Sequence, residues 1–250
     1  MADFKRSMKI LITGHKGFIG SHLYNLISGG KHEIIGIDLQ DGDDLLTCDL
    51  PEVDMIIHLA GKSGVRESME DPAAYWRNNV EVSKRIFDRY HDKRIIWASS
   101  SSAYEPHLNP YAASKFVIEE AAACNIDILG MRFHTVYSST PRKGMFLQKL
   151  IDNELEYVTT HYRDFVHIDD LCTGIVLCLW SNITGELDIG SGIPVKVRDL
   201  APNLPIRLNT PNEREYTCAN LEIINTLGYK PKYNIQNFLT KKDLDNIIYI

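Results

Sequence analysis

Apolar and polar positions along the chain alternate in blocks of two kinds. The run "KILIT" reads as a short buried strand, and "FIGSHLYNLI" places Phe18, Ile19, Leu23 and Leu26 on one face of a helix. "EIIGID", "MIIHLA", "RIIWAS" and "IDILGMRF" repeat the strand-like pattern, with helical patterns between them, notably at roughly 73–90 and 111–123. Strands alternating with helices predict an α/β fold in which a doubly wound parallel sheet carries helices on both faces. After Thr135 the pattern becomes less regular. "SSTPRKG" is loop-like, 144–153 is helical, and "DDLCTGIVLCLW" is an apolar helix that returns to the main sheet. The final stretch holds five of the ten prolines and reads as a small, trimmed C-terminal lobe. The expected division is a main domain of residues 1–135 plus about 164–190, and a lobe of about 136–163 and 191–250.

Length and charge narrow the possibilities. A chain of 250 residues suffices for one large domain, or a domain with a smaller lobe. A formal charge of −6 argues against a sequence-independent nucleic-acid binder, which needs a basic face. No apolar run approaches the roughly 18 residues of a membrane span, and "MADFKRS" before Met8 is too short and polar for a secretory signal. The five cysteines include no C-x-x-C pair and read as reduced, mostly buried residues of a cytoplasmic protein rather than as zinc ligands or disulfides. The nine histidines show no metal-ligand spacing, and His58, inside "MIIHLA", reads as a satisfied interior histidine.

Candidate chemistry begins at "ITGHKGFIGSH", where Gly14, Gly17 and Gly20 stand three apart between the first strand and the first helix. Strand, glycine turn and helix N-terminus form an anion site, with free backbone N–H groups and the positive end of the helix dipole aimed at a phosphate. If that phosphate belongs to a dinucleotide, an acid should close the second strand and hold a ribose. "IIGID" supplies Asp38, about twenty residues on. The arrangement is of the Rossmann type. A carboxylate there repels a 2′-phosphate and favours NAD over NADP, with Lys16 in the turn as the dissenting cation. At the other end, "YAASK" places Tyr111 and Lys115 on one face at the start of a helix. A phenol is a poor base at neutral pH, but a nearby ammonium and a positive nicotinamide ring lower its pKa. "WASSSSAY" offers serine hydroxyls at the carboxyl edge of the sheet, where such folds bind ligands.

At these motifs the sequence resembles the extended short-chain dehydrogenase/reductases, and within them the nucleotide-sugar epimerases and dehydratases. The matching pieces run in order over most of the chain: "TGHKGFIGSHL", "GID", "CDL", "IIHLAG", "WASSSSAY", "YAASK", "RFHTVY", "RDFVHIDDL", "ELDIGSG" and "LGYKP". "HLAGKSGVRESMEDPAAYWRNNV" and "MRFHTVY" look closest to UDP-glucuronate 4-epimerases. The resemblance implies that Gly14, Gly17, Phe18, Ile19 and Gly20 cradle the NAD pyrophosphate and Asp38 holds the adenosine ribose. Asp49 and Leu50 would border the adenine, and Leu59, Ala60 and Gly61 would line the path to the nicotinamide. It implies Tyr111 as the base, Lys115 as its partner on the nicotinamide ribose, and Ser100 as the catalytic hydroxyl with Ser101 beside it. Arg66, Thr135 and Arg142 would face the sugar or its carboxylate, and Arg163 the diphosphate. Arginine suits both tasks because its planar fork matches carboxylate and phosphate oxygens.

The expected activity is an NAD-dependent 4-epimerase of the UDP-glucuronate/UDP-galacturonate type, working through a transient 4-keto sugar. The alternatives are a nucleotide-sugar reductase or 3,5-epimerase/reductase, and, from another class, a non-catalytic NAD-binding sensor. A 4,6-dehydratase is disfavoured, because Ser101 and Ser102 stand where it would need an acid/base carboxyl pair. Expected partners are a UDP-linked sugar and a second copy of the chain in a homodimer, with no nucleic acid, membrane or metal. The sequence departs from the family between Asp38 and the third strand, where too few residues remain for a strand plus crossover helix. A missing helix and an abbreviated strand at "LLTCDL" are expected there.

Overall fold

The computed structural model describes residues 6–124, 127–140, 142, 144–208 and 210–240. The start of the N-terminal extension and the last ten positions of the expected lobe lie outside them. In chain order the strands are β1 (Lys9–Thr13), β2 (Glu33–Ile37), β3 (Met55–His58), β4 (Arg94–Ser100), β5 (Ile128–Phe133), β6 (Thr135–Tyr137), β7 (Tyr162–His167), β8 (Gly185–Ile189) and β9 (Pro194–Lys196). The helices are α1 (Phe18–Ile27), α2 (Val65–Glu70), α3 (Pro72–Tyr75), α4 (Val82–Arg89), α5 (Pro110–Ala122), α6 (Phe146–Ile151), α7 (Ile168–Leu179) and α8 (Glu222–Asn225). Two compact units result. One runs to Arg132 and includes Cys178–Leu187; the other comprises Phe133–Leu177 and the described residues from Asp188 onward.

In the first unit, β1 is buried from Ile10 to Thr13 and pairs in parallel with β2 on one side and β3 on the other. β3 pairs in parallel with β4, and the six-stranded sheet has the order β2-β1-β3-β4-β5-β8. The chain thus leaves β1 for one side and returns on the other, which opens a crevice at the carboxyl ends of β1 and β3. Central strands in such a sheet are covered on both faces, so their apolar runs are continuous rather than alternating. Leu11, Ile56, Ile86, Ile95 and Trp97 anchor the core beneath it.

Two local features differ from the sequence pattern. "LLTCDL" forms no strand: Thr47 N and Cys48 N both donate to Asp44 O, closing a turn over Asp44–Cys48. Leu45 is buried in the core of the unit, and Arg85 donates to the carbonyls of Leu45 and Cys48. The turn therefore covers the sheet with Leu45, flanked by Leu46 and Cys48, and with backbone caps. The only helical piece between β2 and β3 is the 3-10 turn Leu39–Asp41, and no α-helix stands there. The helical pattern at roughly 73–90 is also interrupted, because Trp76–Glu81 is wound as a π-helix between α3 and α4. Such bulges put one extra residue into the turn and frequently mark functional sites.

In the second unit β7 is central to a three-stranded sheet of order β6-β7-β9, parallel to β6 and antiparallel to β9. Its core gathers Tyr137, Leu147, Val158, Phe165, Val195 and Ile235. Buried carboxylates hold the loops. Asp164 accepts hydrogen bonds from Ser191 N, Ser191 Oγ, Gly192 N and Ala219 N, and Asp170 accepts from Lys232 N and Tyr233 N. "RDF" is thereby tied to "GSG", and "IDD" to the two residues after "GYKP", while Tyr229 of "GYKP" donates to Gly190 O.

Candidate active site

The glycine turn is built by close approach. Gly14 has φ +72°, and a Cβ placed there would lie 2.7 Å from Ala60 N; its own N–H donates to Ile37 O at 2.8 Å. A Cβ on Gly20 would lie 2.0 Å from Gly14 O, so α1 descends directly onto the turn. Gly17 caps α1 with no side-chain acceptor, and the first helical turn, opening with Phe18 and Ile19, contains no acid. The first amides of α1 thus have no acidic side chain competing for them, the condition an anion site requires. Leu59 N donates to Thr13 O and Ala60 N to Thr13 Oγ1, which brings the end of β3 against the turn.

Asp38 stands at the end of β2, 7% exposed, with Oδ2 accepting from Lys16 N and Oδ1 from Gln40 N, both at 2.9 Å. Two backbone donors fix the carboxylate while each oxygen keeps a lone pair for a ribose hydroxyl. The side chain of Lys16 pairs with Asp41, so the cation that dissents from NAD in the sequence is already matched by an acid. A Cβ-free cradle, amides without an acidic neighbour and a positioned carboxylate fit NAD. Asp49 is exposed, and Leu50 packs against the core of the unit.

The reacting end grows from two caps. Asn109 Oδ1 accepts from Ala112 N at 2.8 Å and Pro110 occupies the first position of α5, which places Tyr111 in the first turn. Ser100 ends β4, and its Oγ accepts from Ser102 N at 3.1 Å, capping the short turn that Ser101 begins. Strand end and helix start then meet: the Tyr111 side chain hydrogen-bonds to Ser100. One helical turn on, buried Lys115 donates from Nζ to Ala98 O at 2.7 Å. Burial lowers the Lys115 ammonium to about 8, against a smaller upward pull from Glu119. Burial raises the Tyr111 phenol, and the hydrogen bond from Ser100 opposes it. The phenol is thus raised in the chain, opposite to the lowering expected from a neighbouring ammonium.

Asn79 is the residue that pattern reading passes over. It lies in the π segment, 1% exposed, with Oδ1 accepting from Lys62 N at 2.7 Å and Nδ2 donating to Lys62 O and Ser114 Oγ. Ser114 Oγ donates in turn to Tyr111 O at 2.8 Å. A Cβ on Gly61 would lie 2.9 Å from Asn79 Oδ1 and 3.5 Å from Lys115 Nζ, so Gly61, Asn79 and Lys115 converge. The only signal in the sequence is a polar residue at a buried helical position of "RNNV".

The remaining candidates divide between the two units. Arg66 lies on α2, exposed. In the second unit, Thr135 opens β6, Arg142 is exposed with its carbonyl accepting from Met145 N, and Arg163 lies on β7. Arg163 Nη2 meets His161 Nδ1 at 2.9 Å and Glu213 Oε2 at 3.4 Å, and burial pulls its pKa down.

Comparison with known proteins agrees with this geometry. Protein MJ1055 of Methanocaldococcus jannaschii is 28% identical over 306 aligned residues, covering 93% of this chain and 94% of the relative. An alignment longer than the chain means that the relative carries residues this one lacks. A solved structure of MoeE5 with UDP-glucose and NAD superposes with a TM-score of 0.81 at 25% identity, covering 94% of this chain and 99% of the other. UDP-glucuronic acid 4-epimerase from Bacillus cereus, solved with UDP-glucuronic acid and NAD, gives a TM-score of 0.81 at 27% identity, with coverage of 92% and 96%. Residues 10–190 match the family described as NAD dependent epimerase/dehydratase, and with its glycine turn, Asp38 and Tyr111–Lys115 pair in place the chain belongs to that family.

Proposed function

We propose that this protein is a nucleotide-sugar 4-epimerase acting on UDP-glucuronate and UDP-galacturonate. The observation that carries the reading is the contact between Ser100 and Tyr111 with buried Lys115 one helical turn away. Likeness to the B. cereus enzyme supports the choice of sugar. The first unit takes the cofactor and the second the sugar nucleotide. Gly14, Gly17, Phe18, Ile19 and Gly20 hold the pyrophosphate, Asp38 the ribose, Asp49 and Leu50 the adenine edge, and Leu59, Ala60 and Gly61 the nicotinamide side.

In this reading Tyr111, as phenolate, accepts the proton of the sugar 4-hydroxyl, and Ser100 donates a hydrogen bond to the same sugar oxygen. Lys115 stabilises the phenolate through its charge. NAD, when held by these residues, would supply the hydride acceptor and donor for C4 of the sugar, with a 4-keto sugar between the two transfers. Tyr111 keeps the proton during the turnover of the ring and returns it to the 4-oxygen, so the proton ends on the oxygen it left while C4 is inverted, with no net oxidation or reduction. Thr135, a small side chain, leaves room for rotation. Arg142 pairs with the uronate carboxylate, Thr135 donates a second hydrogen bond to it, and Arg163 exchanges Glu213 for the diphosphate.

The test is incubation of the purified protein with UDP-, GDP- and dTDP-sugars, reading product stereochemistry together with NADH absorbance. Interconversion of UDP-glucuronate and UDP-galacturonate without net absorbance change is expected. Steady loss of added NADH would establish a reductase instead, and tight NAD binding without turnover a sensor.

A further inference from the structure

Behind Lys115 lies a charge network that the reaction as proposed does not use. Glu119 follows Lys115 by one turn on α5, so the two share a helix face. It is 4% exposed, and three donors hold its carboxylate: Ser99 Oγ at 2.6 Å, Arg132 Nε at 2.9 Å and Arg132 Nη2 at 2.7 Å. The fork from Arg132 is bidentate, the strongest and most directional form of an arginine–carboxylate pair. Arg132 in turn lies over the Tyr104 ring at 4.3 Å, at the end of the turn that Ser100 caps. Ser99 is the residue before Ser100 on β4. One carboxylate thus touches the strand end that carries the catalytic hydroxyl and the helix face that carries the ammonium.

We propose that Glu119, clamped by Arg132, is a positioning residue that keeps Lys115 charged and fixes the Ser99–Ser100 strand end beside Tyr111. The inference rests on the roles given above to Lys115 and Tyr111. The charged and titratable groups around Lys115 are consistent with it. His58 on β3 is buried neutral, and Tyr111 on α5, whose phenol burial raises, becomes an anion only as the base of the reaction. Asn79 of the π segment is uncharged. Glu186 on β8, its pKa raised by burial, interacts with Glu119, Arg132 and Glu120 rather than with Lys115. Glu119 is therefore the carboxylate left to offset the desolvation of Lys115.

The experiment follows the titration of Lys115 directly, in NAD-loaded protein labelled with 13C at the lysine ε-carbons, the Lys115 signal being assigned by its loss in Lys115→Arg. In Glu119→Gln the titration should fall by about one pH unit, and the alkaline limb of kcat should move down with it while KM stays. If the single variant does not fold, Glu119→Gln/Arg132→Gln removes the orphaned cation and should shift Lys115 in the same direction by less. A Lys115 titration that stays or rises in the folded variant, with only the melting temperature lowered, would mean a purely structural ion pair and overturn the proposal. The signal needs no sugar substrate, so failure of every UDP-sugar to turn over would remove the proposed reaction and leave this test readable.

Discussion

At the scale of single residues, the site is a contest between burial and hydrogen bonding. Tyr111 is pushed up by burial and held back by Ser100, which makes the Ser100 hydroxyl more than a bystander. Tyr111→Phe should lower turnover by roughly a hundredfold to ten-thousandfold, the usual range for a lost general base, with NAD affinity nearly unchanged in calorimetry. Ser100→Ala should be slower than Ser101→Ala or Ser102→Ala, and the reverse ranking would move the catalytic hydroxyl along the turn. His58 shows the same contest without chemistry. Its ring joins Thr13 Oγ1 at 2.6 Å and Ser83 Oγ at 2.9 Å, and burial lowers it from 6.5 to about 3. The unfolded chain therefore binds a proton at His58 below pH 6.5 that the fold refuses until about pH 3. Stability must rise with pH across that window and be lost as pH falls through it, by at most about 1.4 kcal/mol per unit from this group. Urea unfolding at pH 7 and pH 5 should show the loss, and His58→Gln should flatten it; an unchanged slope would mean that other groups dominate.

At the scale of elements, the strand–turn–helix of β1 and α1 couples packing to cofactor binding. A methyl group on Gly20 would collide with the carbonyl of Gly14, which is backbone and cannot rotate away. Gly20→Ala should displace the turn at an overpacking cost of about 1–3 kcal/mol. NAD affinity should fall about tenfold or more, and calorimetry with a parallel melting curve separates lost affinity from lost fold. The same titration of the unaltered protein should favour NAD over NADP, since Asp38 closes β2 and Asp41 matches Lys16. Equal affinity for the two would remove Asp38 from the ribose. The β2–β3 connection shows how little is needed where a strand and α-helix are absent: buried Leu45 and Val53 with a few apolar neighbours, one aspartate-closed turn and Arg85 on two carbonyls.

At the scale of the whole molecule, each unit has its own apolar core, and among the described residues no helix is long and apolar enough to cross a membrane. The first unit leaves Met69, Trp76 and Phe116 exposed on α2, the π segment and α5. Large exposed apolar side chains grouped on neighbouring helices mark an interaction surface. We expect these helices to pair with the same helices of a second copy. Light scattering at micromolar concentration should report a dimer, and Trp76→Glu should shift it toward monomer; a monomeric unaltered protein would remove the expectation.

Sequence by itself determined what depends on near neighbours. Glycine spacing, the acid at the end of β2, and the Tyr111–Lys115 face are local because a turn, a strand end and one helical turn each span only a few residues. The alternation of strand and helix also fixes the parallel sheet, since right-handed crossovers leave few other arrangements. Tertiary structure alone decided the rest. "LLTCDL" has the apolar content of a strand, yet Leu45 finds the core and Asp44 closes the turn before a ladder can form. The π winding that brings Asn79 to Lys62 and Ser114 is set by packing around Trp76–Glu81, where periodicity shows only a helix. Arg132 and Glu119 lie on different elements, and each read alone is an ordinary polar residue of an amphipathic segment. Their meaning is the distance between them, and that distance exists only once β5 and α5 have packed.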